Sequence, residues 1–196
     1  HPDRPDQRGV QLPSGAFALL PPEPTIEELE RAGGHIQLNE RPHTVAGLFL
    51  GSGPIDRVTA YETGLAGHHT WRGDVGEADP LIMDERFLAA HVRGRGVSLL
   101  SACSHAGVVN ACLGAKALFP GAPIDLVLGG YHLAGGPMEA RIPDTVRDLM
   151  ELIDPRIVAP GHCTGWRAKA ALADAFAPGR YGPSVVGSRY NLVAET

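Results

Sequence analysis

The stretch that decides the fold is LLSACSHAGVVN, residues Leu99–Asn110. The apolar run Val97–Leu100 predicts a short buried strand. Small residues follow it, then His105, then a glycine and a helical pattern. Turns from strand to helix present side chains at one edge of a sheet, where ligands bind. The stretch therefore places His105 where a catalytic or metal-binding side chain would lie.

Two later turns repeat this pattern. The apolar run 126–128 leads into GGYH (129–132), and the run 157–159 leads into PGHCTG (160–165). Histidine thus follows three predicted strands, at His105, His132 and His162. Neutral imidazole is the commonest transition-metal ligand, and three histidines with an open water position form a familiar catalytic zinc arrangement. We interpret the three as one shared metal site; the alternative is that each histidine hydrogen-bonds to backbone within its own turn.

The cysteines indicate a reducing environment. The chain has three of them, an odd number, and Cys103 and Cys163 lie beside the candidate histidines. Free thiols, rather than a disulfide framework, are typical of a cytoplasmic protein, which is where we expect this chain. Cys103 and Cys163 are either metal ligands or reactive thiols, or else small residues packed beside tight turns. Cys112 falls within a predicted helix and is expected in the core.

Length and composition predict one globular domain over residues 1–196, with a loop-rich lead-in over 1–24. The 196 residues are 43% hydrophobic with a formal net charge of −5. This mildly acidic balance is a poor match for a nucleic-acid partner. The chain has no apolar run near the roughly 20 residues that a bilayer requires, so we expect no membrane partner either.

The second half of the chain alternates strand and helix, which predicts an α/β fold. Earlier, Thr25 and Glu28 form a capping-box pattern that predicts a helix to Ala32. Residues 57–80 are expected to be irregular. Predicted strands cover residues 16–20, 35–38, 45–50, 81–88, 97–100, 126–128, 157–159 and 185–192, with 81–88 and 97–100 antiparallel. Predicted helices follow His105 to about residue 118, begin at Pro143, and begin after Thr164.

Several pieces of the sequence together resemble one known family. They are DPLIMDE (79–85), ACSHAGVVN (102–110), GGYHL (129–133), RI (141–142) and PGHCTG (160–165). In this order they resemble the metallo-β-lactamase superfamily, in the branch of the dihydropterin-methyl-ribofuranosylaminobenzene-phosphate synthases. The similarity covers nearly the whole chain.

The resemblance implies an αββα sandwich with a divalent metal, zinc before manganese or iron, at the edge of the sheet. It also implies a metal-dependent hydrolase or transferase whose substrate is a phosphorylated or pterin-like small molecule. By this resemblance His105 and His162 match metal ligands, and His132 stands near the position of a bridging aspartate, so that it binds metal or substrate. The expected substrate contacts are His132, Tyr131, Arg141 and Cys103, with Arg141 pairing with phosphate and Tyr131 or Trp166 stacking on a ring.

One departure from the family concerns its main metal motif, His-x-His-x-Asp-His. The sequence does not contain this motif, and HPD at residues 1–3 resembles the segment that usually follows it. We therefore interpret the chain as the C-terminal portion of a longer protein, so that its activity as an enzyme depends on the motif being supplied. An incomplete sandwich would expose an apolar sheet face unless the N-terminal segment or a second copy, in a homodimer, covers it. The alternative function is a non-catalytic remnant or an interaction module.

Overall fold

The computed structural model of the protein describes residues 1–176 and 178–195. In it, two β-sheets and a set of helices form a mixed α/β fold, which confirms the predicted fold class. The strands are β1 (Gln7–Gln11), β2 (Phe17–Leu19), β3 (His43–Val45), β4 (Phe49–Gly51), β5 (His68–Arg72), β6 (Val75–Ala78), β7 (Phe87–Val92), β8 (Gly96–Ser101), β9 (Ile124–Gly130) and β10 (Ile157–Gly161). The α-helices are α1 (Ile26–Arg31), α2 (Val108–Leu118), α3 (Gly136–Glu139), α4 (Ile142–Asp148) and α5 (Trp166–Phe176).

The larger sheet has six strands in the order β10-β9-β8-β7-β4-β3. Strands β8, β9 and β10 are parallel, whereas β7 pairs with β8 in the antiparallel sense, as predicted. Helices α2 and α5 pack on the parallel strands, because a parallel connection must cross over the sheet. The core lies between sheet and helices, where Leu99, Val127 and Val158 have no exposed surface.

Part of the opposite face of this sheet is open, although Ser98 and Leu126 on that face are buried. It forms a groove of about 650 Å³ whose walls include Leu88, Leu100 and Leu128. Leu88 is 42% exposed although it lies next to the buried Phe87 and Ala89. The groove therefore leaves apolar side chains of this face in contact with solvent.

The smaller sheet has the order β2-β1-β5-β6, with every pairing antiparallel. It corrects two predictions. Strand β1 lies within the lead-in that we predicted to be loop, and β5 and β6 lie within the segment 57–80 that we predicted to be irregular. His69 shows why this segment is ordered, since its ring packs edge-on against Phe17 of β2 at a centroid distance of 4.8 Å.

Other predicted strands are also wrong. Residues 35–38 and 185–192 form no strand, and 81–86 form a turn that precedes β7. Residues 45–50 fold as a hairpin rather than one strand, because Ala46 and Gly47 have φ values of 51° and 68° and reverse the chain. The chain after Pro143 is helical, but it ends in a π-helical turn over Leu149–Ile153. Within that turn Leu149 is fully buried, whereas Met150 is 42% exposed.

The strongest patterns are confirmed. Thr25 and Glu28 form both hydrogen bonds of the capping box that begins α1. The predicted strands 97–100, 126–128 and 157–159 are the central parts of β8, β9 and β10. Among the described residues, no helix is long and apolar enough to cross a bilayer.

Candidate metal centre

The candidate site lies where β8, β9 and β10 end. Gly129 of β9 pairs with Ser101 of β8 on one side and with Pro160 of β10 on the other. The three strands therefore end nearly level, and the turns that follow them meet at one edge of the sheet. These turns carry the predicted metal ligands His105, His132 and His162, and also Cys103 and Cys163.

One group of possible ligands consists of Cys103, His105 and His132. Their ligand atoms all lie within 4.8 Å of one another. The Cys103 sulfur is 3.4 Å from Nδ1 of His132, and the rings of the two histidines meet edge-on at 4.5 Å. All three side chains are partly exposed, so a small ligand can reach them.

A second group shares one member with the first. Cys103, His162 and Cys163 also hold their ligand atoms within 4.8 Å of one another. Among residues 1–176 and 178–195, the three histidines do not form a single group at that distance. Cys103 thus links His162 to His105 and His132. The sequence had predicted instead that the three histidines share one site directly.

The backbone at these turns is strained. Ser104, His132 and His162 have φ values of 58°, 47° and 44°, in the left-handed region that residues with a side chain rarely occupy. Such residues cost of order 1–3 kcal/mol each and cluster at functional sites. His132 and His162 thus have the strained backbone that is typical of functional sites, which is a second observation that favours a site here.

Glu85 orients His105. Its Oε1 accepts hydrogen bonds from the backbone N–H of His105 and from Nδ1, at 2.9 and 2.8 Å. Its Oε2 accepts from the backbone N–H of Ala106 at 2.7 Å. Burial opposes ionisation of Glu85, but the bonds from His105 and Ala106 outweigh it and hold the pKa below its ordinary value. A charged Glu85 only accepts, so Nδ1 carries the proton and Nε2 keeps the lone pair that binds a metal.

Glu62 stabilises the start of α2, just after the turn that carries His105, and it was not predicted from the sequence. Its carboxylate accepts from the backbone N–H groups of Val109 and Asn110, at 2.9 and 2.7 Å, in the first turn of α2. Burial raises the pKa of Glu62, although these hydrogen bonds act in the opposite direction. The sequence held one indication, because α2 begins after Gly107, which has no side chain to cap it. The cap therefore had to come from elsewhere in the chain.

Two of the predicted substrate contacts, Tyr131 and Arg141, lie in different surroundings. Tyr131 is 2% exposed, and its hydroxyl donates to the carbonyl of Val127 inside the core. A ring in this position has no face for a substrate, so the prediction for Tyr131 is wrong. Arg141 donates to Thr63 Oγ1 and to the carbonyl of Gly64, at 3.3 and 3.1 Å, which ties it to the chain beside Glu62.

The donor set fits a divalent transition metal. Two imidazoles and a thiol sulfur are ligands that zinc prefers, and they come from two turns, after β8 and β9, that meet at one edge of the sheet. His105 also has the outer carboxylate partner that metal-bound histidines commonly have. Cys103 and Cys163 interact with each other, which raises the pKa of Cys103 and lowers that of Cys163.

Comparison with known proteins shows a sequence similarity over part of the chain. No protein-family model matches it. Over 95 residues it is 32% identical to the 7,8-dihydropterin-6-methyl-4-(β-D-ribofuranosyl)-aminobenzene-5′-phosphate synthase of Methanocaldococcus jannaschii. This match covers 48% of the chain and 31% of the synthase.

A solved structure extends the comparison to the fold. The crystal structure of a metal-dependent hydrolase of the β-lactamase superfamily superposes with a TM-score of 0.76 at 22% identity. The superposition covers 96% of this chain and 68% of the hydrolase. The chain therefore has the fold of the metallo-β-lactamase superfamily, and nearly half of it is similar in sequence to the Methanocaldococcus jannaschii synthase.

Proposed function

We propose that this chain carries the metal-binding part of a hydrolase or transferase that acts on a phosphorylated or pterin-like small molecule. The single observation that carries the proposal is the convergence of Cys103, His105 and His132, whose ligand atoms lie within 4.8 Å of one another at the ends of β8 and β9. Two similar proteins, a metal-dependent hydrolase and a dihydropterin-methyl-ribofuranosylaminobenzene-phosphate synthase, support the reaction class and the substrate class.

In this proposal His105, His132 and Cys103 hold the metal, which we take to be zinc. His162 is exposed, with a ligand atom within 4.8 Å of the Cys103 sulfur, and either completes the ligand set or contacts the substrate. A bound zinc ion would supply Lewis-acid chemistry, polarising a phosphoryl or carbonyl oxygen. Glu85 keeps the Nε2 lone pair of His105 available, so it is a positioning residue.

Two side chains are proposed to recognise the substrate. The guanidinium of Arg141 donates hydrogen bonds to Thr63 and Gly64, and guanidinium groups pair well with phosphate. Trp166 begins α5 just after the His162 turn and is 71% exposed, with the Arg167 guanidinium 4.7 Å from its ring centre. An exposed indole offers a face on which a pterin ring can stack.

The test is an activity assay of the full chain loaded with zinc, manganese or iron. The substrates are simple phosphomonoesters and phosphodiesters, and a ribofuranosylaminobenzene phosphate with and without a dihydropterin. We expect turnover that requires added metal, falls to the metal-free level in His105→Ala, and persists in His35→Ala, which removes an exposed histidine far from the site in sequence. No metal-dependent turnover of any of these substrates would contradict the proposed reaction class for this chain.

A second candidate function is a non-catalytic interaction module, and one observation favours it. The open groove on the six-stranded sheet has an apolar wall that includes Leu88, Leu100 and Leu128. An uncovered apolar sheet face is typical of a surface that binds another chain. In this candidate a second copy of the chain covers the groove.

Sedimentation of the full chain over a range of concentrations tests this candidate. Self-association that Leu88→Glu weakens and Leu48→Glu leaves unchanged would support it, since Leu48 is exposed but does not line the groove. A monomer at every concentration would exclude the homodimer.

A further inference from the structure

Two of the three cysteines lie in contact although 60 positions separate them in the sequence. The sulfur atoms of Cys103 and Cys163 are 2.9 Å apart. Cys163 also lies within hydrogen-bonding distance of the Cys103 carbonyl, at 3.4 Å. Both thiols are free and partly exposed, whereas Cys112 is fully buried in α2.

Gly130, at the end of β9, makes this contact possible. β9 runs between β8 and β10, so Gly130 separates the two turns that carry the cysteines. A Cβ on Gly130 would lie 2.8 Å from the Cys163 sulfur and 2.7 Å from the carbonyl oxygen of Ala102. The missing side chain leaves room for the two sulfurs to meet above the strand.

A disulfide has a sulfur–sulfur bond of about 2.05 Å, so bond formation requires the two sulfurs to approach by less than ~1 Å. The turns on which they stand lie at the ends of strands, outside the hydrogen-bonded ladder of the sheet. The exposure of both thiols allows a small oxidant to reach them.

We propose that Cys103 and Cys163 are a reversible dithiol–disulfide pair that a low-molecular-weight disulfide oxidises. The thiolate of one cysteine attacks the small disulfide, which forms a mixed disulfide and releases one small thiolate. The second cysteine attacks the protein sulfur of that mixed disulfide and expels the other small thiolate. The two cysteines lose two electrons and two protons, and the small disulfide becomes two thiols.

Oxidation also bears on the candidate metal centre. Cys103 belongs to both groups of possible ligands, so the disulfide would withdraw its sulfur from His105 and His132. This consequence rests on the proposed function, whereas formation of the disulfide needs no metal. We expect the oxidised chain to bind zinc more weakly than the reduced chain; equal zinc affinities would overturn this consequence.

The disulfide itself is tested on the reduced, chelator-treated full chain exposed to oxidised glutathione. Intact mass, alkylation of thiols after denaturation and peptide mapping are then measured. We expect a loss of two hydrogens, one alkylated cysteine instead of three, and a peptide that links Cys103 to Cys163. Three alkylated cysteines, or glutathione adducts without the internal link, would overturn the proposal.

Two variants sharpen the result. Cys112→Ser should form the same link and leave no alkylated cysteine. Cys163→Ser lacks the second thiol, so its reaction should stop at a glutathione adduct on Cys103. Formation of the link between other positions in Cys112→Ser would contradict the pairing. If Cys163→Ser does not fold, the peptide map of the unsubstituted chain decides the question.

Discussion

At the scale of single residues, the candidate site depends on how Glu85 holds His105. One carboxylate oxygen accepts from both the backbone and the ring of the same histidine. This double contact fixes the ring orientation and leaves Nε2 as the metal-binding atom. Since such outer partners tune metal affinity, Glu85 should affect zinc binding without touching the metal.

Glu85→Gln is therefore expected to weaken zinc binding about 10–100-fold, the usual cost of losing an outer carboxylate partner. Competition titration against a chelator of known affinity measures the change. The matched control is Asp84→Asn, because Asp84 forms an ion pair with Arg8 at 2.6 Å instead of supporting a candidate ligand. Equal losses in the two variants would mean that Glu85 does not position His105.

His68 predicts a dependence of stability on pH. It is buried in β5, and burial lowers its pKa from 6.5 despite its hydrogen bond to the Asp79 carbonyl. The native state therefore takes up a proton less readily than the unfolded chain. The contribution to stability is fully present above pH 6.5 and is lost as the pH falls below it.

His68→Asn keeps a hydrogen-bond donor near the Asp79 carbonyl but cannot titrate in this range. We expect its free energy of unfolding, measured in urea, to fall less than that of the unsubstituted chain between neutral pH and pH ~5. His35→Asn, at an exposed site, should leave the pH dependence unchanged. If the free energy of unfolding of His68→Asn falls in acid as much as that of the unsubstituted chain, His68 is not the source of the pH dependence.

At the scale of elements, helix α2 begins in an unusual way. Gly107 precedes it with a φ of 96°, and the Glu62 carboxylate takes the place of a capping side chain. A Cβ on Gly107 would overlap the Glu62 carboxylate. The glycine is therefore needed both for its backbone conformation and for space.

Gly107→Ala is expected to destabilise the fold by more than ~3 kcal/mol, because it combines a forbidden φ with displacement of the buried Glu62. Gly121→Ala is the matched control, since Gly121 has a φ of 79° but nothing within 4 Å of its added Cβ. It should cost only about 1–2 kcal/mol from strain. Urea unfolding of both variants measures the difference, and equal costs would show that Glu62 does not restrict this position.

The elements differ in how well the sequence predicts them. Apolar runs that end in small residues mark β8, β9 and β10, because both the strand and its turn leave a pattern. β5 carries HHTWR, and its order depends on pairing with β1 and on the Phe17 ring. Residues 185–192 are rich in β-formers, yet Val186 is fully exposed and the segment forms no strand. Propensity fails where pairing with distant strands decides the structure.

At the scale of the whole molecule, the six-stranded sheet is covered by helices on one face and carries an open groove on the other. Leu99 and Leu100 are neighbours on β8 and point to opposite faces. Leu99 is fully buried beneath the helices, whereas Leu100 lines the open groove. This asymmetry predicts different costs for the same substitution at two adjacent positions.

Leu99→Ala should cost about 2–5 kcal/mol, as expected for a cavity in a packed core. Leu100→Ala should cost about 1 kcal/mol or less, because the side chain is already in partial contact with water. Urea unfolding of a dilute sample, where association is minimal, gives both values. If Leu100→Ala cost as much as Leu99→Ala, another part of the molecule would have to cover the groove.

The same scale explains which parts of the site were predictable. Three strand-end histidines were visible in the sequence because the parallel topology brings successive turns to one edge. Glu85 and Glu62 were not assigned, since their roles come from contacts across 20 and 47 positions that no local pattern marks. The burial of Tyr131 was equally invisible, because its neighbours in sequence are site residues.

Metal content tests most directly whether the turns after β8 and β9 form a metal site. The reduced full chain is loaded with zinc, dialysed and analysed by mass spectrometry, beside a His105→Ala/His132→Ala variant and the His35→Ala control. We predict near-stoichiometric zinc in the unsubstituted chain and in the control, and almost none in the double variant. Zinc retained by the double variant, or absent from the unsubstituted chain, would contradict the account.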